Sequence, residues 1–278
     1  MKKEAHFWEN GVKGRRYKLR EYMRRYHSNS SELNQLLFKD ATPRYIFSNI
    51  RDLRNNNATS IARNLAAIFP NTTKYLVIMR EPVARLKSDF NFFYTSREDT
   101  PTRTRLFYKL VGIALTNYNY CRKNRLLFNH GYMRNQCNVS RHEPTAAQLQ
   151  NCHRGAHDAS CIEWLTRPER RLAIGTYSVY IKHWLKYHSR EQFLFLQLEE
   201  FSAATTATLV DTVLPFLGVN ATLTEIEQAN KSENKVVNKS KRKFTMLNKV
   251  HALLEEFYRP FNQELSQLLQ DNKYLWQH

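Results

Sequence analysis

The sequence predicts an α/β protein built on a parallel sheet, and three features carry that prediction. The run Lys74-Tyr-Leu-Val-Ile-Met79 is continuously apolar after its first residue, the pattern of a strand buried on both faces of a parallel sheet. A helix signal follows it at once, and a second apolar run, Gln192-Phe-Leu-Phe-Leu-Gln-Leu198, follows another helical pattern. Helix and strand alternating in this way bury a sheet under helices.

Taken in order, Ala58 to Phe69 places Ile61, Ala62, Leu65 and Ile68 at helical spacing and leads into the first strand. After that strand comes Arg80-Glu81-Pro82. Proline suits a first helical turn, where its missing N–H costs nothing, so a helix is expected through Val83 to Phe93. Residues 95–106 and 122–170 are polar and read as irregular. Tyr177, Tyr180, Ile181, Trp184 and Leu185 recur at helical spacing, an aromatic face that reads as core. Val250, Leu253, Leu254, Phe257, Phe261, Leu265 and Leu268 mark one or two amphipathic helices, with Pro260 expected to interrupt them. There is no repeat and no Gly/Ser or Pro-rich linker among 7 Gly and 8 Pro. The expectation is one domain over 1–278 with a cysteine-bearing surface excursion at about 121–165.

With 42% hydrophobic residues in 278, the chain can fill a core, which excludes intrinsic disorder as its general state. It has no apolar run of the roughly eighteen residues a membrane helix needs. Lys and Arg number 43 against 25 Asp and Glu, a net charge of +18 that predicts a polyanionic partner. The basic residues cluster from Lys13 to Arg25 and from Lys235 to Lys243. No zinc-finger or RNA-recognition signature accompanies them, which argues against nucleic acid.

Four cysteines, Cys121, Cys137, Cys152 and Cys161, fall in one stretch and read as two disulfides. Adjacent pairing (Cys121 with Cys137, Cys152 with Cys161) and nested pairing are both open. His153 and His157 lie between the last two cysteines, but the spacing matches no standard zinc pattern, so no metal is expected. Glycosylation triplets begin at Asn29, Asn57, Asn71, Asn138, Asn220, Asn230 and Asn238, more than composition would give by chance. Triplets and cysteines together point to an oxidising secretory compartment.

Ligands of open parallel sheets bind beyond the carboxyl ends of the strands, where a following helix offers amide donors to anions. Arg80 stands at that point, with Arg85 and the Ser88 hydroxyl along the next helix. An arginine and a hydroxyl so placed can hold a phosphate by charge-assisted bonds.

Arg80-Glu-Pro-Val-Ala-Arg-Leu-Lys-Ser88 resembles the 3′-phosphate-binding motif of sulfotransferases that use 3′-phosphoadenosine 5′-phosphosulfate (PAPS). Lys3-Glu-Ala-His-Phe-Trp8 is similar to the family's Lys-Glu-Pro-His segment, with Ala5 in place of proline, and Asp40-Ala-Thr-Pro-Arg-Tyr45 to its Thr/Ser-Pro-x-Tyr segment. Gly175 to Leu185, Leu198-Glu-Glu-Phe201 and Glu255 to Asn262 resemble the Golgi carbohydrate sulfotransferases, above all the chondroitin branch that sulfates the 6-O of N-acetylgalactosamine 4-sulfate. The cysteine-bearing stretch is longer than the family's.

The resemblance implies a three-layer P-loop-like fold, PAPS as co-substrate, a sulfated glycosaminoglycan as acceptor and the Golgi lumen as location. Glu4 would be the general base, with Lys3, His6 and Asp40 on the acceptor side. Arg80 and Ser88 would hold the 3′-phosphate, with Lys241, Arg242 and Lys243 in a loop over it. The family's first strand and its Lys-x-Gly-Thr loop for the 5′-phosphosulfate would lie before residue 3. The expectation is therefore a fragment that lacks that strand, that loop and an N-terminal anchor, and that transfers sulfate poorly alone. The alternative is a non-catalytic protein that binds sulfated glycans.

Overall fold

The computed structural model describes residues 46, 61–68, 73–94, 99–124, 139–153, 158–219, 224 and 244–276. They form an α/β structure in which two parallel strands are joined through a run of helices. Helix α1 (Ile61–Ile68) leads to β1 (Tyr75–Met79), α2 (Pro82–Phe93) and the long α3 (Thr100–Lys123). Helices α4 (Ala146–His153), α5 (Asp158–Thr166), α6 (Pro168–Ala173) and α7 (Tyr177–Trp184) precede β2 (Phe193–Gln197). Then come α8 (Leu198–Ala203), the short α9 (Thr205–Thr208) and α10 (Leu214–Leu217), and α11 (Asn248–Leu269).

The strands pair in register from Tyr75 with Phe193 to Met79 with Gln197. Alternation then puts Tyr75, Val77, Phe193 and Phe195 on one face. That face packs on Trp184, Ile61, Leu65, Leu265 and Tyr274. On the other face Leu76 and Ile78 are 43% and 44% exposed, so β1 is covered on one side where its unbroken apolar run suggested both.

A second cluster lies under α2, α3, α5 and α6, with Phe90 stacked on Tyr94 and edge-on to Trp164 and Phe244. Helix α11 joins the two clusters. Its first half buries Val250, Leu254 and Tyr258 in one, and its second half buries Leu265 and Leu269 in the other. Pro260 lies inside this helix without ending it, contrary to the interruption expected from the sequence. An internal proline costs about 3 kcal/mol. Here Pro260 and Glu256, whose carbonyl loses its donor, are both exposed to water, and the buried anchors on either side hold the two halves in line.

Among the described residues the stretches read as irregular are largely helical: α3 begins at Thr100, and α4, α5 and α6 lie within 146–173. Their polar residues hid the signal because caps and tertiary contacts, more than apolar periodicity, define them. The Asp99 carboxylate accepts from Thr102 N at 2.8 Å to start α3. Cys152 and Cys161 form a disulfide, which excludes the nested pairing and leaves neither sulfur as a zinc thiolate. Both are buried in the core cluster with Trp164 and Leu165, rather than stapled to the surface. Cys121 is also disulfide-bonded, and Cys137 lies outside the described residues. Among the described residues no helix is long and apolar enough to cross a membrane.

Candidate functional site

The carboxyl ends of both strands carry the candidate site. Arg80 follows β1 directly, and Glu199 stands in the first turn of α8, directly after β2. Arg80 Nε lies 3.7 Å from Glu199 Oε1, and both side chains are partly exposed, at 38% and 43%. The exposed part of the guanidinium can donate to an oxyanion beside Glu199.

The backbone under Arg80 is held from two sides. The Glu81 carboxylate caps α2, accepting from Val83 N at 2.7 Å and Ala84 N at 2.5 Å, with Pro82 next to it at the first turn. Tyr177, on α7, donates its hydroxyl to the Arg80 carbonyl at 3.0 Å. Burial pushes this phenol up to about 12, so it stays protonated and remains a donor at neutral pH. The aromatic face of α7 is core, as its spacing predicts, and this one hydroxyl also fixes the site.

Ser88 is exposed on α2, one turn beyond Ala84 and about 9 Å along the helix from Pro82. Beside it, Lys87 Nζ lies 5.8 Å from the ring centroid of Phe244. Phe244, the residue after Lys243, is anchored among Phe90 and Phe107. The chain leaving the basic triplet is thus anchored at Phe244 on α2 and α3. Lys241, Arg242 and Lys243 themselves lie outside the described residues, as do Lys3, Glu4, His6, Asp40 and the seven glycosylation asparagines.

Arg85 does not join Arg80. Its guanidinium turns inward, donating to Asp89 at 3.3 Å and to the Arg171 carbonyl at 2.7 Å. Asp89 also accepts from the Trp164 indole at 2.6 Å and lies 3.6 Å from Arg171 Nη1. Sequence spacing could not separate the two arginines. Asp89, four residues on, neutralises Arg85, whereas Arg80 precedes the helix and reaches the strand ends. Above this cluster the Tyr258 hydroxyl donates to the Leu172 carbonyl at 2.7 Å. Its ring lies so close to Gly175 that an added Cβ would sit 2.7 Å from Tyr258 Cε1, which is why a glycine stands there. The Glu81 cap was legible in Glu-Pro at a helix start. The roles of Tyr177, Asp89 and Glu199 have no local sequence signal.

The sequence matches the family described as Sulfotransferase domain over residues 13–266. The segment containing Lys3, Glu4 and His6 precedes that region. The chain is 25% identical over 257 residues to Carbohydrate sulfotransferase 15 of Rattus norvegicus, covering 89% of this chain and 40% of that protein. The human protein of the same name is 26% identical over 212 residues, covering 75% of this chain and 32% of its own length. The chain thus spans well under half the length of the curated relatives it matches. Among solved structures, the crystal structure of a sulfotransferase from Alicyclobacillus acidocaldarius is 18% identical, with a TM-score of 0.44 over 97% of this chain and 84% of that one.

Proposed function

Since the chain belongs to the sulfotransferase domain family, we propose that it transfers a sulfuryl group from PAPS to a sugar hydroxyl of a glycosaminoglycan in the Golgi lumen. The acceptor position proposed is the 6-O of N-acetylgalactosamine 4-sulfate in chondroitin or dermatan sulfate. The observation that carries this reading is the family match across nearly the whole chain, with curated relatives named carbohydrate sulfotransferases. A disulfide and the run of glycosylation triplets support a secretory compartment.

The residues present suit the co-substrate. Arg80 offers a partly exposed guanidinium, and Ser88 offers an exposed hydroxyl on the adjoining helix. Together they hold the 3′-phosphate, with the Lys241-Arg242-Lys243 segment adding charge. The bound co-substrate supplies an activated sulfuryl group. Glu4 takes the proton of the acceptor hydroxyl as the sugar oxygen bonds to sulfur and the sulfur–oxygen bond to the phosphate breaks. Lys3, His6 and Asp40 orient the acceptor.

Retention on immobilised adenosine 3′,5′-bisphosphate tests the cofactor half: Arg80→Ala abolishes it, and unchanged retention would refute the phosphate role. Incorporation of labelled sulfate at the 6-position of chondroitin 4-sulfate tests the acceptor half. A second reading is glycan binding without turnover, in which the basic surface is kept and no sulfuryl group is transferred. Bisphosphate binding with no sulfate incorporation by a chain extended through its upstream sequence would favour it.

A further inference from the structure

Helix α3 is 24 residues long and contains neither Asp nor Glu. Its buried face, including Leu106, Phe107, Leu110, Ala114 and Tyr118, fixes which residues face water. On the exposed side stand Arg105, Tyr108, Lys109, Tyr120 and Lys123. From Arg105 to Lys123 the face runs about 27 Å at the helical rise per residue.

Helix α11 adds a cation to the same face. Lys249 Nζ sits 4.5 Å from the Tyr108 ring centroid, and the Thr104 hydroxyl donates to the Thr245 carbonyl at 3.2 Å, tying the two segments together. Arg105, Lys109 and Lys249 form no ion pair with a described carboxylate. Asp99 feels the Arg105 charge, but its carboxylate is engaged by Thr102 at the helix start. Residues 244–247 connect this face to Lys87 and hence to the neighbourhood of Ser88.

We propose that this acid-free face of α3, completed by Lys249, is a track that holds a sulfated glycosaminoglycan outside the 3′-phosphate site. The inference rests on the sulfotransferase reading and assigns a surface to its acceptor polymer. Arg105 and Lys109, one turn apart and joined by Lys249 over Tyr108, form a cation cluster at one end of the face with Lys123 at the other, which suits an extended polyanion. The large exposed side chains between them are tyrosines, 40% exposed at 108 and 120, which offer a ring and a hydroxyl to a sugar. A membrane surface would call for Leu, Phe or Trp on that face, and none is exposed along α3.

The test uses the full chain on immobilised chondroitin sulfate eluted with a salt gradient. Arg105→Gln, Lys109→Gln and Lys249→Gln combined should elute at clearly lower salt, with the slope of log affinity against log salt shallower by about two to three counterions. Arg141→Gln, Lys186→Gln and Arg259→Gln combined remove the same charge from exposed sites elsewhere and should elute as the unsubstituted chain does. Binding of adenosine 3′,5′-bisphosphate should be equal in all three proteins. Equal losses in both triple variants, or unchanged retention in the first, would overturn the track. So would a greater loss on double-stranded DNA than on chondroitin sulfate, which would make the face a nucleic-acid surface. An unsubstituted chain that binds the bisphosphate and ignores chondroitin sulfate overturns the track alone, whereas loss of bisphosphate binding from that chain strikes the sulfotransferase reading itself.

Discussion

Glu199 is the counter-charge that a phosphate at Arg80 must displace or share, so neutralising it should tighten binding. At 3.7 Å the pair is worth about 1 kcal/mol in water. Side-chain ordering and salt screening lower the realised value to about 0.2–1 kcal/mol. Glu199→Gln keeps the shape and removes the charge, and it also removes repulsion toward an incoming phosphate. The expected result is a roughly two- to fivefold tighter dissociation constant for adenosine 3′,5′-bisphosphate at low salt. Titration calorimetry at about 0.02 M and about 0.5 M salt reads it, because screening should shrink the gain at the higher concentration. Arg80→Ala combined with Glu199→Gln should bind no better than Arg80→Ala alone. Weaker binding by Glu199→Gln would mean that the carboxylate orients Arg80 productively, and an unchanged constant at low salt would mean that phosphate does not meet this arginine. Either result refutes the reasoning.

Asp89 accepts from Arg85 and Trp164 and faces Arg171 in a mostly buried setting, so Asp89→Ala should lower the unfolding free energy by about 3–5 kcal/mol in urea, with Asp89→Asn recovering part through the indole bond. A loss below about 1 kcal/mol would show the cluster to be dispensable. Gly175→Ala should cost about 1–3 kcal/mol by driving a methyl into the Tyr258 ring, and Tyr258→Leu should relieve part of that cost in a double-mutant cycle. Reducing or removing Cys152–Cys161, which closes a loop with a sequence separation of 9, should cost about 2–3 kcal/mol, and non-reducing peptide mapping should recover that pair. Buried His188 donates from Nε2 to the Ala62 carbonyl at 2.8 Å and accepts at Nδ1 from the Tyr75 hydroxyl at 3.3 Å, and burial holds its imidazole below the ordinary 6.5. The unfolded chain therefore takes up the proton first as pH falls through about 6.5, and stability is lost until the folded-state value is passed. His188→Gln should flatten that part of the stability profile between pH 7 and 5.

The strand, turn and helix that carry Arg80 and Ser88 were legible because their signals are local: strand, turn, proline and helix follow one another within Tyr75 to Phe93, and each is a consequence of neighbouring residues. Which way each arginine turns was not legible. Arg80 and Arg85 look alike in sequence, and they part only because Asp89 and the Arg171 carbonyl, 86 residues away, capture the second. The helices over 146–173 escaped notice for the same reason. They are held by burial of Cys152, Cys161, Trp164 and Leu172 in a core assembled from distant segments.

What the sequence by itself determined is what the backbone decides over a few residues: two apolar runs become strands, Pro82 opens α2, and the spacing of Tyr177, Tyr180 and Trp184 makes an aromatic core face. Composition likewise set the net charge of +18. Only the tertiary structure decided that β1 keeps one side exposed, that Pro260 is carried inside a continuous α11, that Cys152 pairs with Cys161, and that Lys249 of α11 comes over the Tyr108 ring of α3. Each of these depends on which segment arrives opposite another after long loops have closed. Burial, charge pairing and steric fit between segments settle it, and no local pattern encodes them.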